Sequence, residues 1–135
     1  NATGIIGEGS AASNLPPWAG SLIEIECDKG YWLTVSGATE LDIVGTPCGG
    51  ENLLYDIHIG ANLISYPYEQ SNTISAAIPD LFEEYISTII GEGTAAIQTS
   101  PGNWVGSLTE LESGKGYWFK SSSNMIFAFD PPGEQ

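Results

Sequence analysis

The residues with the greatest potential for chemistry are two pairs of glutamates that share one spacing. Glu24 and Glu26, like Glu110 and Glu112, are two positions apart, so in a strand each pair lies on one face. The two carboxyl groups of a pair are then about 6–7 Å apart, a separation within the range found in glycosidases. Each pair, however, lies close to a lysine and to a predicted turn, where acidic residues keep exposed strand edges soluble. The pattern therefore favours a solvated surface over acid–base chemistry.

His58 is the only imidazole available for catalysis, and the chain contains no arginine. His58 shares the polar side of an alternating segment with Asp56, which is typical of a solvated strand. The Gly-Glu-Gly segments 7–9 and 91–93 lack the lysine and the strand–loop–helix setting of a phosphate loop, and glycines within a strand indicate a bulge or a close backbone approach. No nucleophile, base and orienting group occur together, so we predict no enzyme and no cofactor. No metal site is predicted because no aspartate-rich calcium loop occurs, and a bound cation stays an open alternative for Glu8, Glu92 and Asp42.

The aromatic residues make a stronger case for a functional surface. Successive side chains of a strand point to opposite faces of the sheet. Trp32 is therefore expected on the face opposite to that of Leu33, and Trp118 on the face opposite to that of Phe119. A flat indole beside small polar residues suits three contacts: packing between modules, an interface with another chain, or the apolar face of a sugar ring. The sequence leaves these three open for the candidate interface or glycan-stacking residues Trp18, Trp32, Trp104 and Trp118.

An internal repeat contains all four tryptophans. Residues 5–12, IIGEGSAA, return as residues 89–96, IIGEGTAA, and residues 18–32 return as residues 104–118 with the GSL and KGYW motifs retained. Chance does not produce so dense a match, so we predict that the two segments share ancestry and a backbone fold.

The two copies differ in extent, because residues 53–87 precede the second copy and have no counterpart in the first. We predict an incomplete first repeat over 1–48, a linker over 49–52 and a complete second repeat over 53–135. A single repeat usually cannot bury its own apolar face. The incomplete copy therefore needs a partner, which is the other copy, another chain or an upstream segment.

The predicted fold class is α+β and β-rich: an internally duplicated, small antiparallel-sheet module. A strand over 62–68 and a helix precede the second copy, and the first copy is a half-module. The helix begins after Thr73, is interrupted at Pro79 and has Glu83 and Glu84 on its wet side. Further strands are predicted over 89–97, 103–108, 116–121 and 125–130.

Composition excludes some partners and favours an extracellular setting. Seventeen acidic residues against three lysines give a net charge of −14, which repels nucleic acid and anionic membranes. No apolar run is long enough for membrane insertion. The richness in Gly, Ser, Thr and aromatics is typical of secreted β proteins, in which Cys27 and Cys48 form a disulfide; two buried thiols are the alternative.

The motifs Asn-Leu-Ile-Ser-Tyr-Pro, Ile-Ile-Gly-Glu-Gly, Trp-Val-Gly-Ser-Leu and Gly-Lys-Gly-Tyr-Trp occur in an order that resembles a repeat module of secreted multidomain proteins. That module occurs in tandem in marine bacterial and phage-associated sequences. The resemblance covers residues 53–130 fully and 4–45 partly. It implies a surface or structural role and supplies no catalytic residues.

These observations predict a non-catalytic subunit of an extracellular or surface-associated assembly, such as a filament, a surface layer or a virion appendage. Strand or module complementation would join the subunits. The expected partners are further copies of the chain or neighbouring modules. A carbohydrate-binding or adhesion module that uses surface tryptophans is the alternative, with glycans as partners.

Overall fold

The computed structural model describes residues 1–38 and 53–133, and strands predominate in both ranges. The first repeat consists of β1 (Ala2–Gly7), β2 (Ser10–Asn14), β3 (Trp18–Gly20) and β4 (Trp32–Val35). The second repeat begins with β5 (Tyr55–Ile57), β6 (Gly60–Ser65), β7 (Asn72–Thr73), α1 (Ile74–Ala77) and α2 (Asp80–Glu83). It continues with β8 (Ile86–Gly91), β9 (Thr94–Ser100), β10 (Asn103–Gly106), β11 (Glu110–Leu111), β12 (Gly116–Ser121) and β13 (Met125–Phe127). The β-rich character is as predicted.

Two antiparallel sheets contain most of these strands, and their strand orders correspond. The first sheet has the order β3-β2-β1-β4, and the second has the order β10-β9-β8-β12-β6. Ile6 is paired with Trp32 in the first sheet, and Ile90 is paired with Trp118 in the second. The registers between β1 and β2 match those between β8 and β9 pair for pair. Within residues 1–38 and 53–133, β6 has no counterpart in the first sheet, so β4 is an edge strand.

The glycine of the repeated Gly-Ser-Leu motif allows a close backbone approach in each sheet. Gly106 has a φ of 138°, and a Cβ added to it would lie 2.2 Å from the carbonyl oxygen of Ala95. At Gly20, with a φ of 146°, the same atom would lie 2.3 Å from the carbonyl oxygen of Ala11. No side chain fits at either position, so the motif has a structural role.

The Gly-Glu-Gly segments form tight turns rather than bulges. Gly9 and Gly93 have φ values of 75° and 73°, a left-handed conformation that reverses the chain between β1 and β2 and between β8 and β9. The prediction of one continuous strand over 89–97 is therefore wrong. Glu8 and Glu92 lie at the tips of the resulting hairpins.

Other predicted boundaries shift by a few residues. The strand predicted over 62–68 ends at Ser65, before Pro67, whose ring nitrogen cannot donate to a ladder. The strands predicted over 103–108 and 125–130 end at Gly106 and Phe127. The predicted strand over 116–121 is confirmed. The predicted linker 49–52 and Cys48 lie outside the described residues.

The main core lies under one face of the second sheet. It contains the buried aromatic side chains of β12 and β13 together with rings from the segments that flank them. Phe129 packs edge-on against Tyr55 and Phe127, with ring centroids 5.0 Å apart in each case. Seven ring contacts, five of them edge-on, join aromatic side chains of the described residues, and their specific geometries add to the stability that burial provides.

The predicted helix consists of two four-residue turns, one before Pro79 and one after it, and Pro79 interrupts the helix as expected. Thr73 occupies the N-cap position but makes no capping hydrogen bond through its side chain. The placement of Glu83 on the wet side is wrong, because Glu83 is only 5% exposed. Its carboxylate accepts a hydrogen bond of 2.7 Å from Trp104 Nε1, and this charge-assisted contact offsets the cost of burial. Neither turn is long and apolar enough to span a membrane, and no other helix occurs in the described ranges.

Among residues 1–38 and 53–133, apolar side chains of the first repeat are more exposed than their counterparts in the second. Phe119 in β12 is fully buried, whereas Leu33, at the matching position of β4, is 38% exposed. Leu111 is also fully buried, and Ile25, which occupies the matching position, is 68% exposed. Apolar side chains of the first repeat are therefore exposed at positions whose sequence counterparts are core in the second.

Candidate binding cleft between the two sheets

The first repeat contacts the second at the outer edge of β6. Lys29 forms an isolated antiparallel bridge with Ile64, the Gly30 N–H donates to the Leu63 carbonyl at 3.1 Å, and the Ser65 N–H donates to the Asp28 carbonyl at 3.3 Å. β6 is thus hydrogen-bonded on both edges, to β12 on one side and to residues 28–30 on the other. This short pairing satisfies backbone groups that would otherwise be a free sheet edge.

Glu8, at the tip of the first hairpin, completes this contact. Its Oε1 accepts a hydrogen bond of 2.9 Å from the Leu63 N–H, and its Oε2 lies 2.5 Å from Nε2 of His58. The Nδ1 atom of His58 lies 2.8 Å from the carbonyl oxygen of Ile59. Since a carboxylate and a carbonyl can only accept, both contacts are satisfied at once when His58 is the imidazolium.

The pKa values of this pair shift in opposite directions. The hydrogen bonds to the Ile59 carbonyl and to Glu8 raise the pKa of His58 above its ordinary value. Partial burial acts to raise the pKa of Glu8, but hydrogen bonds from His58 and from the Leu63 N–H outweigh it, so this pKa is lowered. Both shifts favour the ion pair.

A cleft of about 430 Å³ lies beside this contact, between the two sheets. Residues 31–33 form one wall, and residues 114–118 form the opposite one. Glu92, at the tip of the second hairpin, lies at the rim and has no hydrogen-bond partner among the described residues. Leu63 and Ile90, the cross-strand neighbours of Trp118, make the lining partly apolar.

The four candidate tryptophans have different environments. Trp32 and Trp118 both line the cleft, Trp32 with 39% of its surface exposed. Trp104 packs against the core and donates its indole N–H to Glu83, so its environment is that of a structural residue. Trp18, the counterpart of Trp104, is 43% exposed and has no such carboxylate partner within residues 1–38 and 53–133. The structure therefore brings two of the four candidates together.

The glutamate pairs are separated by the fold. Glu110 and Glu112 lie in the cleft, whereas Glu24 and Glu26 lie on the exposed surface of the first repeat. No group of three or more potential metal ligands occurs in the described parts of the chain. Of the residues left open for a cation, Glu8 is engaged by His58 and Leu63, Glu92 is unpartnered, and Asp42 lies outside the described residues.

Sequence reasoning did not identify the Glu8–His58 contact, because its two residues are 50 positions apart. The one signal available was the position of Glu8 between two glycines, which indicates a carboxylate at the tip of a turn once a hairpin is recognised. His58 was assigned to a solvated strand surface, and it lies just after the end of β5.

No family model, curated protein or solved structure matches the chain. The case for a function therefore depends on the geometry of the chain itself.

Proposed function

We propose that the protein is a non-catalytic structural subunit of an extracellular or surface assembly, joined to its neighbours by strand or module complementation. One observation carries this proposal: among the described residues, the first sheet has exposed apolar side chains and an edge strand, β4, with no strand beyond it. We also propose that the two repeats arose by duplication, which is supported by their matching registers.

The energetic argument comes from positions that match in the two repeats. Full burial of a leucine or isoleucine side chain contributes about 1.5–3 kcal/mol relative to exposure. Phe119 and Leu111 obtain this stabilisation in the second repeat, and Leu33 and Ile25 do not obtain it fully in the first. Covering these side chains with another chain is therefore favourable, and the open edge of β4 supplies directional hydrogen bonds for the same contact.

Light scattering coupled to size-exclusion chromatography, with electron microscopy of native material, tests this proposal. We expect the wild-type chain to form concentration-dependent oligomers, and we expect Leu33→Lys to weaken them by placing a charge in the buried contact. The matched control is Leu81→Lys, because Leu81 is 76% exposed on the second repeat and should not affect assembly. A strictly monomeric wild-type protein at high concentration would overturn the assembly proposal.

A carbohydrate-binding or adhesion role is the second candidate. It is supported by the presence of Trp32 and Trp118 in one cleft that also contains polar side chains. Aromatic rings of this kind can contact the apolar face of a sugar without any charge. A glycan array would favour this role if Trp118→Ala removed selective binding while the fold was retained. No turnover of polysaccharides or simple esters is expected under either proposal, and hydrolysis that is lost in Glu110→Gln or Glu112→Gln would contradict both.

A further inference from the structure

The residues that line the cleft between the sheets match, in the repeat, residues that surround the strand β6. Within the described residues, the first sheet has no counterpart of β6. In the second sheet, β6 lies along residues 117–119 of β12. The residues of the first repeat that match them are 31–33, and these form one wall of the cleft. The wall is thus the surface against which a counterpart of β6 would pair.

The residues on the other side of the cleft match the residues that contact the outer edge of β6. On its outer edge, β6 contacts Glu8 and residues 28–30 of the first repeat. Their counterparts in the second repeat are Glu92 and residues 114–116, and all of these line the cleft. Glu8, residues 28–30 and residues 117–119, which hold β6 in place, therefore have matching residues around the cleft.

Backbone geometry points to the same ligand. Because the N–H and C=O of Leu63 face the first repeat, those of Asn62 and Ile64 face β12, where they are opposite Phe119 and Tyr117. The matching backbone groups in the first repeat are those of Leu33, in β4, and of Tyr31, just before β4, and within the described ranges no strand lies on that side of them. An incoming antiparallel strand would satisfy them.

Glu92 is positioned to bind the backbone of such a strand and to fix its register. Glu8 accepts the backbone N–H of Leu63, which is a contact with the main chain of β6. Glu92 occupies the matching hairpin tip, is exposed and is unpartnered among the described residues. Its carboxylate can accept the corresponding N–H of a strand in the cleft. A charge-assisted hydrogen bond of this kind fixes the register of the incoming strand.

We propose that the cleft is an acceptor site for an extended strand of the β6 type, donated by another module of the same repeat in which that segment is not paired with its own sheet. The donor pairs antiparallel with β4. Its Leu63-type residue lies opposite Trp32 and donates its N–H to Glu92, while its Ile64-type residue lies opposite Tyr31. This inference rests on the proposed assembly role and names the segment that would join the subunits.

A synthetic peptide of residues 58–68, HIGANLISYPY, tests the acceptor site directly. We expect saturable binding to the full chain by isothermal titration calorimetry, with protection of the Tyr31 and Leu33 amides in hydrogen exchange. The Glu92→Gln variant should bind the peptide about tenfold more weakly, because it loses a hydrogen bond to a charged acceptor. A peptide N-methylated at the Leu63 amide should show a similar loss, because it lacks the N–H donated to Glu92 but keeps the ladder to β4.

Glu24→Gln is the matched control, because Glu24 is an exposed glutamate of the first repeat that does not line the cleft. We expect it to leave peptide affinity unchanged. If Glu8→Gln weakens binding and Glu92→Gln does not, the peptide is replacing β6, and the proposal is overturned. Circular dichroism verifies that each variant retains its fold.

The outcomes separate this inference from the proposed function. Absence of peptide binding at millimolar concentration, with oligomers of the wild-type chain still present, would refute the acceptor site and leave the assembly role standing. Binding of the peptide by a chain that is always monomeric would support the acceptor site and refute the assembly role.

Discussion

Gly30 and Gly116 lie back to back where the two repeats meet. A Cβ added to Gly30 would be 3.1 Å from the Cα of Gly116, and one added to Gly116 would be 3.2 Å from the Cα of Gly30. These residues occupy matching positions of the repeat. The same glycine therefore allows close approach from both sides of the contact.

Gly30→Ala should destabilise the docking of the first repeat. The new Cβ would lie 2.9 Å from the carbonyl oxygen of Ile64, so the two backbones must separate at a cost of about 1–3 kcal/mol. Chemical denaturation and hydrogen exchange at Leu63 and Ser65 measure this effect. Gly37→Ala is the control, since its Cβ meets nothing within 4 Å. Equal stability of the two variants would contradict the close contact.

The Glu8–His58 ion pair should make the contact between the repeats dependent on pH. Because folding raises the pKa of His58, its contribution is present below the ordinary value of about 6.5 and is lost as pH rises through the raised pKa. Because folding lowers the pKa of Glu8, its contribution is present above the ordinary value and is lost as pH falls through the lowered pKa. An NMR titration of His58 should show the raised pKa, and Glu8→Gln should reduce it. An unchanged titration in Glu8→Gln would exclude the pair.

Glu83 and Glu84 are adjacent residues that should respond very differently to replacement. Glu83→Ala removes the acceptor for the Trp104 N–H and should lower the free energy of unfolding by about 1–3 kcal/mol. Glu84 is exposed, so Glu84→Ala should change it by less than about 0.5 kcal/mol. Thermal and urea unfolding of the two variants provide the comparison. A small effect of Glu83→Ala would mean that the buried hydrogen bond is not needed.

The Cys27–Cys48 disulfide remains a prediction, since Cys48 lies outside the described residues. If it forms, denatured protein should not react with a thiol-specific reagent until it has been reduced. Replacement of both cysteines by serine should then lower stability by about 3 kcal/mol, as expected for a loop of about twenty residues. Immediate labelling of both thiols in unreduced protein would exclude the bridge.

The repeat in the sequence anticipated much of the fold, and long-range contacts account for what it missed. The matched positions of Trp32 and Trp118 correctly placed these residues on corresponding strands, because equal spacing in the chain gives equal register in a sheet. The burial of Glu83 was not predicted, since its partner Trp104 is 21 positions away and helical periodicity describes only local faces. The same limit applies to the cleft, whose walls come from residues 31–33 and 114–118.

The strand β6 is hydrogen-bonded along both edges, and this pairing would make any assembly of the chain directional. A strand with three consecutive buried residues, Asn62, Leu63 and Ile64, would be a strong template for uncontrolled fibril growth if its outer edge were bare. Glu8 and residues 28–30 occupy the outer edge of β6. Of the two strands β6 and β4, only β4 therefore has an edge to which a further strand can be added within the described residues. Under the proposed complementation, β4 receives a strand from a further module, because β6 of the same chain is already paired on both edges. Growth of a chain of such subunits would be polar, as it is in head-to-tail polymers.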